Sequence, residues 1–243
     1  MMNGARLIGI GVGPGDPGLV TLNAIAAIKA ADVVAHFAKE GNHSNARAIA
    51  AGHFQAGVEE LPLLYPVTTE IPKTDAAYRT AIRAFYDGAA AEIATRLDCG
   101  RVVAVIAEGD PLFYGSYMHL HIRLAPRYPT EIVAGVTGMS GCWSAVASPM
   151  AQGDDVFTVL PGTLPEYELE RRLADTDAAV VMKIGRHLAK VRRALERSGR
   201  LDRAIYVERG TMTNAAIMPL ADKLDTFAPY FAMVLVPGWE GRS

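Results

Sequence analysis

The chain has 243 residues, half of them hydrophobic and 21% charged, with a formal charge of −2 at pH 7. This is the composition of an ordinary globular protein; it excludes disordered, collagen-like and low-complexity classes, and the length allows one large domain or two small ones. A global basic field of the kind that dominates nucleic-acid binding is excluded as well, because residues 1–133 carry 11 basic and 13 acidic groups and the remainder 13 of each. Cys99 and Cys142 lie 43 residues apart without metal-ligand spacing, so the sequence suggests buried thiols, with neither a disulfide framework nor a metal. The first residues show no signal-peptide pattern, and no apolar stretch approaches the ~20 residues of a membrane span, so a cytoplasmic protein is expected.

In chain order, Leu7 to Val12 is apolar, bounded by glycine, and reads as a buried strand; a Gly/Pro loop over residues 11–18 follows. Thr21 to Ala31 has helical periodicity, and Asp32 to Ala35 returns to strand, completing one βαβ unit. A short helix is expected over Asn45 to Gly52 and a strand over Val58 to Leu61, after which Pro62 and Pro66 predict an irregular segment. Asp75 to Leu97 reads as a long amphipathic helix, and Arg101 to Ala107 as the most apolar strand, running into Glu108-Gly109-Asp110-Pro111. Ser116 to Leu124 is helical, Thr130 to Val133 a strand, and Gly135 to Ser140 opens another helix. This alternation predicts a largely parallel sheet.

Beyond this point strands are expected over Val156 to Leu160, Ala178 to Lys183 and Ala204 to Glu208, with helices over Glu166 to Leu173 and Leu188 to Ser198. Asn214 to Met218 and Phe231 to Val236 have no helix between them, which predicts antiparallel pairing at the end. The reading is therefore two α/β domains, 1–133 and 134–243, with a cleft between them.

Gly13-Pro14-Gly15-Asp16-Pro17-Gly18 formally matches G-x-G-x-x-G, yet Pro14 and Pro17 lack the N–H groups a pyrophosphate needs and Asp16 would set an anion against it. The loop is thus structural or shapes a non-phosphate site. In Glu108-Gly109-Asp110-Pro111 a glycine lets a ligand approach the backbone, and two carboxylates suit a cationic or hydroxyl-bearing group; a plain turn ending a buried strand is the competing reading. Nucleophilic triads, zinc signatures and P-loops are absent: no serine lies in G-x-S-x-G, and the six histidines show no metal spacing. Lys183 to Arg203 holds eight basic residues against two acidic ones, which fits either a solvated helix face or a surface for a polyanion.

Taken together, Gly11-Val12-Gly13-Pro14-Gly15-Asp16-Pro17 with Leu19-Val20-Thr21-Leu22, Ala31-Asp32-Val33-Val34, Glu108-Gly109-Asp110-Pro111-Leu112-Phe113-Tyr114-Gly115 and Gly135-Val136-Thr137-Gly138-Met139 resemble the tetrapyrrole methyltransferase family, over nearly the whole chain and in the right order. Residues 61–68, Val180 to Lys183, Tyr206 to Arg209 and Tyr230 to Val236 resemble the branch of that family that methylates carbon 20 of precorrin-2. The resemblance implies a two-domain α/β fold distinct from Rossmann methyltransferases, S-adenosylmethionine as methyl donor without a metal, a small-molecule tetrapyrrole as partner with neither nucleic acid nor membrane, and a homodimer. It puts the donor at Pro14, Glu108, Gly109, Asp110, Phe113, Thr137, Gly138, Met182, Gly210 and Ala232. Asp16 is the candidate carboxylate facing the tetrapyrrole; His36 and Arg186 are candidate substrate contacts, Arg186 through paired hydrogen bonds to substrate carboxylates. His36-Phe37 and Gly115-Ser116-Tyr117 depart from the commoner family pattern. Another corrin-ring methylase, including the cobalt-precorrin-2 enzyme, or a diphthine synthase shares these donor motifs, and a non-catalytic anion- or RNA-binding module rests on the basic stretch alone.

Overall fold

A computed structural model describes residues 4–67 and 75–238; Thr68, at the end of one resembling segment, lies outside them. The chain divides into two compact units, Met1–Gly138 and Met139–Ser243.

Unit 1 is built on five strands, β1 (Arg6–Gly11), β2 (Val33–Lys39), β3 (Glu59–Tyr65), β4 (Val102–Ala107) and β5 (Thr130–Val133). They lie in the order β3-β2-β4-β1-β5, with every pairing parallel, as the alternating pattern predicts. Four helices cover the sheet: α1 (Leu22–Lys29), α2 (Asn45–Ala50), α3 (Ala76–Asp98) and α4 (Tyr117–Leu124). Because side chains alternate along a strand, Ile8, Ile10, Val34, Ala104 and Ile106 face α1 and α2, whereas Leu7, Val33, Ala35, Val103 and Val105 face α3 and α4. That double burial explains why β1 and β4 read as unbroken apolar runs. Thr21, Ser44 and Asp75 cap α1, α2 and α3 by accepting from backbone N–H groups at 3.1, 3.3 and 2.8 Å, each worth about 1 kcal/mol. The ring of Tyr117 lies over Gly9 in mid-β1, where any side chain would collide with it.

One expectation fails here. β3 does not stop at Leu61 but continues through Pro62 to Tyr65. It is the edge strand of the sheet, and Pro62 occupies an exposed position, where a missing ladder donor is tolerated.

Unit 2 holds β6 (Phe157–Pro161), β7 (Ala178–Met182), β8 (Ile205–Glu208), β9 (Ala216–Pro219) and β10 (Ala232–Val236) in the order β6-β7-β10-β8-β9. Only β6 and β7 pair in parallel; β10 runs antiparallel to β7 and β8, and β9 antiparallel to β8. Helices α6 (Glu166–Ala174) and α7 (Leu188–Arg197) pack Leu169, Leu173, Val191 and Leu195 on one face, and α5 (Gly138–Val146) packs Cys142 against Val180, Val207 and Leu235 on the other. Burial pushes the Cys142 thiol up to about 11, so it is an inert core group. Cys99 is exposed at the end of α3, contrary to the expectation of two buried thiols.

The basic stretch is also resolved. Arg193 and Arg197 pair with Glu166 at 2.7 and 3.3 Å, and Lys190, Arg192, Arg200 and Arg203 donate to the carbonyls of Leu164, Lys223, Thr176 and Asp177. Six of its eight cations thus have partners within their own unit, as the reading of a solvated helix face expects.

Candidate functional site

In unit 1 the loops that leave β1, β4 and β5 all emerge at the carboxyl end of the parallel sheet, where α/β sheets bind ligands. They form one backbone assembly. Gly109 N donates to the Gly13 carbonyl at 2.8 Å and Gly13 N to the Gly109 carbonyl at 3.4 Å, with both residues at positive φ (+66° and +79°). A Cβ on Gly11 would stand 2.5 Å from the Gly109 oxygen and 2.6 Å from the Gly135 Cα, so only glycine permits this approach. The Asp110 carboxylate completes the lock, accepting from Leu112 N at 2.9 Å and from Gly135 N at 3.1 Å.

These contacts bring the loops carrying Pro14, Glu108, Gly109, Asp110, Phe113, Thr137 and Gly138 to one end of unit 1. Phe113 is half-buried, edge-on to Tyr114 with ring centroids 4.9 Å apart, and Thr137 immediately precedes α5. Asp16 is exposed, and its carboxylate accepts from Gly18 N at 2.8 Å, capping the 3-10 turn over Pro17–Leu19.

Two neighbouring groups differ from ordinary side chains. Glu108 ends the buried run of β4, and burial raises its carboxyl above the usual 4.5, with a hydrogen bond from Asn45 of α2 partly offsetting the rise. His36 is only 6% exposed and lies within β2, paired with Ile106. Its Nε2 is 3.7 Å from Glu60, which is itself held by Arg47 of α2. Burial lowers the His36 pKa below 6.5, Glu60 opposes the shift and Arg47 adds to it, while Nδ1 is buried without a partner among the described residues. The structure therefore turns His36 toward Glu60 and Arg47 rather than joining it to the loops of β1, β4 and β5.

In unit 2, strand register does the same gathering. Met182, the last residue of β7, pairs with Met233; Ala232 pairs with Glu208; and Arg209 N donates to the Phe231 carbonyl at 2.8 Å. Met182, Gly210 and Ala232 thus share one end of the second sheet. A Cβ on Gly210 would meet the Cys142 sulfur at 2.9 Å, so the segment after β8 sits directly on α5. Arg186 is exposed in the short turn Gly185–His187.

Several features here escape sequence reasoning. Tyr114, Lys183 and Arg209 have φ of +54°, +57° and +50°, and each adjoins an expected donor position: Phe113, Met182 and Gly210. Strain of this kind concentrates at ligand sites, but nothing in a tyrosine, lysine or arginine advertises it. Thr211, beside Gly210, holds a buried hydroxyl with no partner among the described residues. Among those residues no group of three or more His, Cys, Asp or Glu could hold a metal ion, and no helix is long and apolar enough to cross a membrane.

The family model of the tetrapyrrole (corrin/porphyrin) methylases matches residues 6–224. A precorrin-2 C(20)-methyltransferase from Sinorhizobium is 61% identical, over 98% of this chain and 97% of its own. The cobalt-precorrin-2 C(20)-methyltransferase of Salmonella typhimurium is 26% identical, over 98% and 99%. Among solved structures, a cobalt precorrin-4 methyltransferase of cobalamin biosynthesis superimposes with a TM-score of 0.73 at 23% identity, covering 97% of this chain and 95% of its own.

Proposed function

Because the chain belongs to the tetrapyrrole (corrin/porphyrin) methylases, we propose that it transfers the methyl group of S-adenosylmethionine to carbon 20 of precorrin-2, giving precorrin-3A in cobalamin biosynthesis. The single observation that carries this reading is the 61% identity to the Sinorhizobium enzyme along almost the whole of both chains. The 26% identity to the cobalt-precorrin-2 enzyme favours the metal-free substrate.

The residues fit a methyl donor. Without side chains, Gly13 and Gly109 let a ligand come close to their carbonyls, each of which keeps a second lone pair beyond the bond the two residues exchange, and Thr211 holds a buried hydroxyl with no partner among the described residues. In this reading Pro14, Glu108, Gly109, Asp110, Phe113, Thr137 and Gly138 of unit 1 and Met182, Gly210 and Ala232 of unit 2 hold the donor. Asp110 acts chiefly by fixing the loops, since both carboxylate oxygens already accept from backbone N–H groups. When bound, the donor supplies an electrophilic methyl on a sulfonium: its C–S bond breaks as the new C–C bond forms, and the ring carbon then gives up its hydrogen as a proton.

The enamine-like carbon of precorrin-2 is already electron-rich, so alignment and exclusion of water supply much of the rate and no strong base is needed first. This agrees with a site assembled from backbone. Asp16 is exposed and remains the candidate carboxylate toward the tetrapyrrole. Arg186, also exposed, is the candidate for pairing with a substrate carboxylate; His36, buried beside Glu60 beneath α2, is not proposed as a direct contact. A homodimer in the cytoplasm, needing no metal, completes the proposal.

The test is to incubate the protein with precorrin-2 and methyl-labelled donor and to locate the label by mass spectrometry and NMR. A single new methyl at carbon 20 supports the reading. A methyl at another ring carbon, or turnover only with the cobalt-containing substrate, favours a sister enzyme.

A further inference from the structure

Residues 223–231 join the short turn Leu220–Asp222 to β10 without a helix or strand of their own, yet the segment is pinned at three points. The Lys223 ammonium lies 5.0 Å from the centre of the Tyr206 ring, Ala228 N donates to the Gly185 carbonyl at 3.1 Å, and the Phe231 carbonyl accepts from Arg209 N at 2.8 Å. It is a fixed strap across unit 2.

Within the strap the usual order of burial is inverted. Ala228, its smallest side chain, is fully buried in the core with Ile184, Leu220 and Ala232, whereas Leu224, Phe227 and Tyr230 are 92%, 63% and 85% exposed. A single exposed apolar residue needs no explanation, but three large ones within seven residues of a pinned strap gather apolar surface in one place, which marks a binding surface.

Two placements identify what that surface suits. The strap runs directly into Ala232 at the start of β10, where Met233 lies opposite Met182, so Tyr230 stands at the end of the second sheet that carries the candidate donor residues. The bond between Ala228 and Gly185 ties the strap to the turn that carries Arg186: an exposed guanidinium follows one bonded residue and an exposed phenyl ring precedes the other. The one acidic group inside the strap, Asp225, is already paired with Lys223 at 2.8 Å. Aromatic rings beside a cation suit a molecule with a broad apolar face and carboxylates at its rim, since the rings cover the face and the guanidinium takes a carboxylate by paired hydrogen bonds.

We propose that Phe227 and Tyr230 are substrate-holding residues, their rings laid by the strap against a face of the tetrapyrrole beside the carboxylate contact of Arg186. This inference rests on the reading above that the substrate is a tetrapyrrole.

The test is the double variant Phe227→Ala/Tyr230→Ala in the full chain. Loss of two aromatic contacts should raise the KM for precorrin-2 about tenfold or more. S-adenosylhomocysteine affinity by calorimetry and the melting temperature should stay at wild-type values, because both side chains are exposed in the unliganded protein and the lost contacts are made to one ligand only. Phe227→Tyr and Tyr230→Phe, which keep the rings, should retain the wild-type KM. A wild-type KM in the double variant overturns the inference; if its sedimentation coefficient changes as well, the rings belong to an interface between copies of the chain. An equal loss of donor affinity also overturns it, by assigning the strap to support of Ala232 alone. If the unsubstituted protein fails to methylate precorrin-2, the proposed function falls first; if it methylates precorrin-2 and the double variant is indistinguishable from it, this inference alone falls.

Discussion

The two units place their candidate donor residues by different means. In unit 1 those residues lie on loops beyond the ends of parallel strands, and the loops are held by backbone hydrogen bonds, close glycine contacts and one aspartate. In unit 2 they lie at strand ends, where antiparallel pairing sets Met182 beside Met233 and Ala232 beside Glu208. A loop that turns back on its neighbour needs particular residues, because only glycine tolerates the approach and the φ values. A strand end needs only the register, which the hydrophobic pattern of the whole sheet secures. The same kind of site is thus chemically demanding in one unit and permissive in the other.

The sharpest test of that contrast is at Gly135, where an added methyl would collide with the Gly109 carbonyl. Gly135→Ala should cost about 3 kcal/mol or more, at or beyond the usual range for overpacking, and abolish donor binding, whereas Met182→Leu in unit 2 should cost under ~1.5 kcal/mol and leave donor affinity within a few fold. Denaturant unfolding and calorimetry measure both, and equal sensitivity at the two positions would erase the distinction.

Next in size is Asp110→Ala, which leaves the N–H groups of Leu112 and Gly135 without their acceptor and should weaken S-adenosylhomocysteine binding by ~1–3 kcal/mol. Unchanged affinity would mean that the backbone assembly stands without its aspartate. Arg186→Ala should raise the KM for precorrin-2 with donor affinity constant, and lysine should rescue it only partly, because lysine restores charge but not the two-pronged geometry. Arg193→Ala and Arg197→Ala should leave steady-state kinetics at wild-type values, since both side chains are exposed and already paired with Glu166. A larger loss at Arg193 than at Arg186 would relocate the carboxylate contacts.

The smallest effect expected is a pH dependence in unit 1. His36 has a native pKa depressed by burial, so its contribution to stability is complete above 6.5 and is lost as pH falls through the native value. Relative to His36→Gln, the wild-type protein should therefore lose stability on acidification below 6.5. An imidazole NMR titration showing a pKa at or above 6.5 would remove the effect.

The same contrast explains what the sequence made legible. The parallel sheet of unit 1 was readable because double burial writes unbroken apolar runs into β1 and β4, and its loops were readable because their geometry requires glycine, proline and aspartate. Met182 and Ala232 carry no such mark and were reached through family resemblance alone, since register rather than residue type places them. The partners of the basic stretch were hidden for another reason: Lys190 finds Leu164, and Arg192 finds Lys223, across 26 and 31 residues of chain. Pro62 misled because the edge position that makes it harmless is a property of the assembled sheet. The left-handed Tyr114, Lys183 and Arg209, and the Thr211 hydroxyl that has no partner among the described residues, belong to tertiary structure entirely.

The most direct test of the donor assignment is amide hydrogen exchange of the full chain with and without saturating S-adenosylhomocysteine. The account predicts added protection in two places at once: the loops over residues 12–15, 108–113 and 135–138, and the strand ends around Met182, Arg209 to Thr211 and Ala232. Protection confined to one unit, or centred on the basic face of α7, would contradict it.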